Sequence, residues 1–293
     1  MEGFFICTFG DKILERRIQM LELLAMTGKK YDPDPTDVQG QVFFTATSGT
    51  DWTVPEGVYA ISVVCIGGGQ PSGSGNTYGK NGGDLRWKNK IPVTPGEILR
   101  IRASVATPYT STSGQASNIV RKDTGEILLQ AGGGGNTVEV STPLGGDVGG
   151  GNGGKGNGRG GGGAGGYTGD GGMGEMNGTS GQPGSGGGGG GGSYYRYNTN
   201  YYGAGGGGTG VHGQGNNGSG GTSGTNPSAA GGRYGSWFST TPTAQRPTIG
   251  NGPNAGDFGG GAGGSSGYNG SRGAVRIIWG KGREFPSTET QDV

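Results

Sequence analysis

The residues whose types could support catalysis or metal binding are few and scattered in this sequence. His212 is the single histidine, so a histidine-based catalytic triad or zinc site would have one candidate and no second histidine. Asp170 and Asp257 stand among glycines as in calcium-binding repeats, but the nine-residue period of such repeats is missing. Lys155 is followed by glycine rather than the Ser or Thr of a phosphate-binding loop. These patterns favour a non-enzymatic protein with no catalytic residues, metal ligands or cofactor.

The overall charge also argues against whole classes of partner. The 22 basic residues nearly balance 21 acidic ones, so there is no positive surface to attract nucleic acid or anionic membranes. No apolar run approaches 18 residues, which predicts no membrane insertion. The N-terminus lacks the basic and apolar segments of a signal peptide, so we expect assembly in the cytoplasm. Arg159 and Arg233 lie beside glycines, a weak indication of an RNA-binding protein that remains as an alternative.

Residues 11–27 have the apolar periodicity of an amphipathic α-helix. Asp11 can cap its start and Gly28 can end it. A lone helix of this length is marginal, and the proline-rich stretch 31–35 separates it from the rest of the chain. We therefore expect it to dock on a partner, with packing on the next domain as the alternative. The docking stripe comprises Leu14, Ile18, Leu21, Leu24 and Ala25.

The segment that follows carries short runs of β-branched, aromatic and alternating apolar residues, which are typical of β-strands. Because a C-terminal strand cannot stand alone, we expect it to return to the same sheet as the others. Short strands with regular turns predict an all-β protein with a β-sandwich, of jelly-roll-like type. Cys65 lies in the most apolar strand, which favours a buried free thiol over a disulfide with Cys7. The predicted strands are residues 42–47, 59–66, 85–93, 98–105, 118–121, 126–130 and 274–279.

Glycine dominates the region between the last two predicted strands. Of the 78 glycines, 55 fall between positions 145 and 275. A flexible linker is the simple alternative, because ordering glycine costs more backbone entropy than ordering any other residue. We instead predict a bundle of polyglycine-II helices, which have three residues per turn and can approach until their backbones pair. The predicted division of the chain is 1–40 docking helix and linker, 41–144 sandwich, 145–272 glycine insertion, and 273–293 closing strand and tail.

Aromatic residues inside this region argue against a simple linker. Tyrosine gives a large amphipathic contact area at low entropic cost, so loops rich in Tyr, Asn, Ser and Gly are typical of recognition surfaces. The sequence leaves open whether these side chains are exposed at loops or packed between glycine segments. The candidate contact residues are Tyr194, Tyr195, Tyr197, Tyr201, Tyr202, Tyr234, Trp237 and Phe238.

Two stretches resemble a known family. The sequences at 51–58 (DWTVPEGV), 61–69 (ISVVCIGGG) and 93–97 (VTPGE) resemble the opening of the glycine-rich domain in many phage tail-fibre and receptor-binding proteins. The ending at 273–280 (GAVRIIWG) and 282–288 (GREFPST) is similar to the C-terminus of glycine-rich structural proteins of marine and cyanobacterial phages. The resemblance covers about residues 41–288, and it implies a sandwich carrying polyglycine helices on a fibre or baseplate.

The leading hypothesis is therefore a virion protein of the tail fibre or baseplate. Its N-terminal helix would bind other virion proteins, and its glycine-rich domain would contact a host cell-surface glycan or protein. A homo-oligomer, a trimer by analogy with tail fibres, is what the resemblance implies. The alternative is a purely architectural virion component, such as a baseplate, connector or capsid-decoration protein, without a receptor of its own.

Overall fold

The computed structural model describes residues 38–73, 78–135, 147–175, 179–236, 238 and 243–287. The predicted docking helix, with Leu14, Ile18, Leu21, Leu24 and Ala25, lies outside the described residues, as do Cys7 and Trp237.

The described chain is almost entirely β-structure and irregular backbone. Helix is confined to one short α-helix, α1 (Pro227–Ala230), and one 3-10 turn at Thr243–Gln245 within the described residues. The prediction of an all-β protein is confirmed. The strands are β1 (Gly40–Thr45), β2 (Thr47–Thr53), β3 (Ala60–Ile66), β4 (Leu85–Pro92), β5 (Ile98–Ala103), β6 (Ser117–Arg121), β7 (Ile127–Ala131), β8 (Val148–Gly149), β9 (Tyr194–Tyr197), β10 (Asn200–Gly203) and β11 (Ala274–Trp279).

The eleven strands form two larger antiparallel sheets and one two-stranded hairpin. The first sheet has the order β1-β11-β3-β4-β8, so the C-terminal strand lies between two strands from the start of the described chain. The second sheet has the order β2-β5-β6-β7, and β9 pairs with β10 alone. We call the two larger sheets together the sheet pair.

The five-stranded sheet is buried on both faces. Along β3, Val63 and Cys65 point into an apolar core shared with Leu99 and Ile101 of the four-stranded sheet. The alternate residues of β3 and β11 point the other way, into a second cluster with Tyr167, Phe258 and Phe285. All seven residues of β3 are buried, which explains its continuous run of apolar and small side chains.

Glycine-rich segments cover this second face and extend beyond the strand ends. We call residues 147–175, 179–236 and 243–273, together with 67–73 and 78–84, the glycine-rich body. Apart from the short elements named above, these segments have no regular secondary structure of their own. Their backbone groups bond instead to distant segments, as in Gly83 N–H to Gly259 O at 2.6 Å and Gly134 N–H to Gly68 O at 2.8 Å.

The bonding within the glycine-rich body repeats every third residue. In segment 160–166, N–H groups three residues apart donate to the same neighbouring segment, and successive N–H groups donate to different neighbours. Carbonyl oxygens of the same segment accept from residues 154, 189–192 and 261, so it bonds to six segments in all. The donated bonds, donor first, are Gly161–Ala204, Ala164–Gly207, Gly162–Lys80, Gly165–Gly83 and Gly163–Gly172, at N···O distances of 2.8–3.0 Å.

Two further segments show the same period. Residues 204–209 donate in turn to segments 190–193, 248–252 and 258–261. Residues 188–193 donate in turn to 182–185, 161–164 and 230–233. These contacts require glycine: a Cβ on Gly163 would lie 2.1 Å from the carbonyl oxygen of Gly189, well inside ordinary contact.

Candidate functional site

The candidate tyrosines 194–202 lie on a β-hairpin at the end of the glycine-rich body that is remote from the sheet pair. Segment 79–85 leads into β4, so Gly79 is the end of this segment that lies away from the sheet pair. Gly79 N–H donates to Gly158 O. Gly161 then bonds to Ala204, which directly follows the hairpin, so both lie at the same level. We call this the distal end.

Several loops converge at the distal end. Arg196 N–H donates to Gly224 O at 2.8 Å, and Gly264 N–H donates to Arg159 O at 2.7 Å. Ser72 N–H donates to Tyr268 O at 2.9 Å. The distal end is therefore built from loops that include residues 71–73, 107–109, 157–160, 194–203, 222–226 and 265–269.

A tight turn and one side-chain hydrogen bond stabilise this hairpin. Its two-residue turn has Asn198 at a φ of 55°, a left-handed conformation that asparagine tolerates well. Arg159 holds the returning strand by donating Nη1–H to the carbonyl oxygen of Tyr201 at 2.8 Å. Cross-strand pairing then sets Tyr195 opposite Tyr202.

The pairing of the two strands brings four tyrosine rings into two ring–ring contacts. Tyr195 and Tyr202 stack with centroids 5.5 Å apart, and Tyr194 meets Tyr201 edge-on, also at 5.5 Å. The Arg196 guanidinium lies 5.8 Å from the centroid of the Tyr201 ring. Tyr201 is 48% exposed, whereas the other three are half-buried. Burial raises the pKa of Tyr195, with Tyr268 and Tyr202 adding to the effect, so its hydroxyl remains a hydrogen-bonding group well above neutral pH.

Phe238, another aromatic candidate, does not join this group. Tyr234 and Phe238 are half-buried, and Phe238 lies beside Gly215 in the turn that follows Gln214. Gln214 N–H donates to Pro286 O, which places this turn at the sheet pair rather than at the distal end. The backbone of Tyr197 belongs to β9.

Sequence reasoning missed three further tyrosines of the distal end. Tyr78 is 68% exposed and Tyr109 is 43% exposed. Tyr109 N–H donates to Asn269 Oδ1 at 3.0 Å, next to the half-buried Tyr268. Each is a single tyrosine in a separate loop, and only the converging glycine segments bring the loops together. No local signal in the sequence marks them as a group.

The residues first considered for chemistry have structural partners. His212 is 2% exposed, and its Nε2 lies 2.9 Å from Gln245 Oε1. Asp170 accepts a hydrogen bond from Asn152 N–H, and Asp257 pairs with Arg272 at 3.0 Å. Within the described ranges, no group of three or more His, Cys, Asp or Glu side chains could hold a metal ion.

Comparison with known proteins adds no assignment. No protein-family model matches the chain, and no curated protein sequence matches it either. Among the helices that the structure describes, none is long and apolar enough to cross a membrane.

Proposed function

We propose that this chain is a structural protein of a phage tail fibre or baseplate, and that its distal end contacts the host cell surface. The observation that carries the proposal is the clustering of tyrosines from separate loops at one end of an ordered glycine-rich body. A flexible linker would not hold those loops in a fixed arrangement. The sequence similarity to phage glycine-rich domains, noted above, supports the same assignment.

In this proposal the sheet pair is a β-sandwich of jelly-roll-like type, and the glycine segments are polyglycine-II helices. The three-residue bonding period supports this reading, because that helix has three residues per turn and no internal hydrogen bonds. Six bonded neighbours around segment 160–166 are what hexagonal packing of such helices requires. The N-terminal segment, in the same proposal, attaches the chain to other virion proteins, and no catalysis or cofactor is involved.

The tyrosine hairpin suits recognition of a neutral glycan or protein surface. Tyr201 offers an exposed ring with an arginine at its face, and the stacked Tyr195–Tyr202 pair offers ring edges and hydroxyls. Rings preordered by cross-strand contacts lose little conformational freedom on binding.

The test is adsorption of virions carrying hairpin variants to host cells. Combined replacement of Tyr194, Tyr195, Tyr201 and Tyr202 by alanine should abolish adsorption, and Tyr201→Ala alone should weaken it. Tyr59→Ala is the matched control, because Tyr59 is 42% exposed and precedes β3 at the end of the strand away from the glycine-rich body.

Thermal unfolding of each purified chain separates lost contact from lost structure. The single variant at the exposed Tyr201 should unfold as the parent does. If both hairpin variants are incorporated into virions and adsorb normally, host attachment through this surface is wrong, and the purely architectural role takes its place.

A further inference from the structure

A second candidate binding site lies away from the tyrosine hairpin, at the four-stranded sheet. A cleft of about 660 Å³ opens between the start of β2, the end of β5, the start of β6 and the loop 107–116. This volume is within the range of about 300–1,000 Å³ that is typical of small-molecule sites. Arg102 and Asn118 are paired in register on β5 and β6, and both line the cleft.

The lining has an unusual chemical composition. Eight of its thirteen residues are serine or threonine, and Arg102 is the one charged residue among them. Arg100, two residues earlier on the same exposed face, pairs with Asp51 at 2.9 Å. The side chain of Arg102, by contrast, has no ion pair or hydrogen bond with any residue that the structure describes. The cleft therefore combines one unneutralised guanidinium with many hydroxyl groups.

Two polar atoms of the lining residues lack the partners that buried groups normally have. Thr107 is 1% exposed, and its Oγ1 has no hydrogen-bond partner within the described chain. Asn118 Nδ2 donates to Gln130 Oε1 at 3.3 Å, but Asn118 Oδ1 is buried without a partner there. Exchanging the amide oxygen and nitrogen of Asn118 would still leave one of its polar atoms unpaired. Such atoms are rare in folded proteins, and a bound ligand is one way to satisfy them.

We infer that this cleft binds an acidic sugar, that is, a hydroxyl-rich ring carrying one carboxylate. The carboxylate matches the planar fork of Arg102. Ring hydroxyls can donate to Asn118 Oδ1 and exchange hydrogen bonds with Thr107 Oγ1 and the surrounding serines and threonines. A neutral sugar leaves Arg102 unused, and a simple carboxylate leaves Thr107 and Asn118 unsatisfied. The absence of aromatic residues from the lining favours hydrogen bonding over ring stacking.

The experiment is amide NMR of the full chain titrated with glucuronate, glucose or acetate. Glucuronate should shift the amide signals of Arg102, Thr107 and Asn118, and bind at least about tenfold more tightly than either other probe. No shift with glucuronate overturns the inference. Equal binding of glucose overturns the anionic part, and equal binding of acetate shows an adventitious anion only.

Variants give an independent readout. Arg102→Gln should weaken glucuronate binding about tenfold, to the level of glucose, while Lys281→Gln removes an exposed charge elsewhere and should change nothing. Thr107→Val deletes the unpartnered hydroxyl at nearly constant shape. It should weaken binding without lowering the melting temperature, a combination that a purely structural role for Thr107 would not give. Normal glucuronate binding by Arg102→Gln would refute the site. Because the cleft is separate from the distal hairpin, this result is independent of the adsorption test.

Discussion

Replacing Gly163 by alanine should destabilise the protein, because the added methyl group has no room between two packed glycine segments. Gly163 lies in segment 160–166, where a Cβ would be 2.1 Å from Gly189 O and 2.4 Å from Gly189 C. The shorter contact is about 1.3 Å below the 3.4 Å at which ordinary contact begins. Both obstructing atoms are backbone, so no side-chain rotation can relieve the clash. The segment 188–193 must instead move away from segment 160–166.

That movement breaks identifiable hydrogen bonds. Gly189 N–H donates to Ala164 O at 2.9 Å, and Gly192 N–H donates to Gly161 O at 2.7 Å. Leaving a buried polar group without its partner costs about 1–3 kcal/mol, so losing both bonds should cost about 3–4 kcal/mol. Alanine recovers a few tenths to about 1 kcal/mol by restricting the unfolded chain. We expect a net loss of about 3 kcal/mol in the free energy of unfolding.

Urea denaturation followed by circular dichroism measures this loss. Gly224→Ala is the matched control, because a Cβ on Gly224 would meet nothing within 4 Å and its backbone is not in the left-handed region. The control should be neutral or slightly stabilising. If Gly163→Ala and Gly224→Ala unfold at the same urea concentration, the glycine-rich body is not held together by close backbone approach, and the reasoning fails.

Two further predictions concern the junction and the sheet pair. Tyr167 is fully buried, donates its hydroxyl to Gly210 O at 3.1 Å and accepts from Gly213 N–H at 3.0 Å. Tyr167→Phe should therefore cost about 2 kcal/mol in urea denaturation, since it leaves a buried N–H unpaired, and an unchanged midpoint would contradict this. Hydrogen bonds from Arg100 and then Lys122 lower the pKa of the exposed Asp51 from its ordinary 3.8 to about 2. The stabilisation that Asp51 gives is thus present above pH 3.8 and lost as the pH falls toward 2, so the parent and Asp51→Asn should converge in stability over that interval; a constant difference across it would refute the assignment.

Most strands of the sheet pair could be predicted because burial of one or both faces leaves a pattern in the sequence. Residues 98–103 alternate between exposed and buried side chains, and β3 is apolar throughout. By contrast, β2 (sequence TSGTDWT) is largely exposed and has no such pattern. The hairpin of β9 and β10 also has no clear strand pattern, because its tyrosines and asparagines are equally common in turns.

The arrangement of the glycine segments could not be predicted from the sequence. Side chains normally encode which elements pack together, but a run of glycines such as 186–192 carries no information about its neighbours. Tyr167 and Phe258 anchor two of the turns against the five-stranded sheet, and those residues could be recognised only as aromatics inside the region. For the same reason, the sequence does not show that the tyrosines of the distal end, which belong to separate loops, lie close together.

The three-residue bonding period has a consequence for how such a chain can change in length. In the polyglycine-II helices proposed above, inserting or deleting three residues would rotate a segment by one full turn, so every N–H would still face the segment it faced before. A change of one or two residues would redirect each N–H to a different neighbour. Loop sequences at the distal end are free of this rule, because the backbone pairs beneath them do not depend on side-chain identity. The loop sequences of the distal end can therefore change without disturbing the glycine segments that support them. Viable length variants of the glycine segments should differ by multiples of three residues.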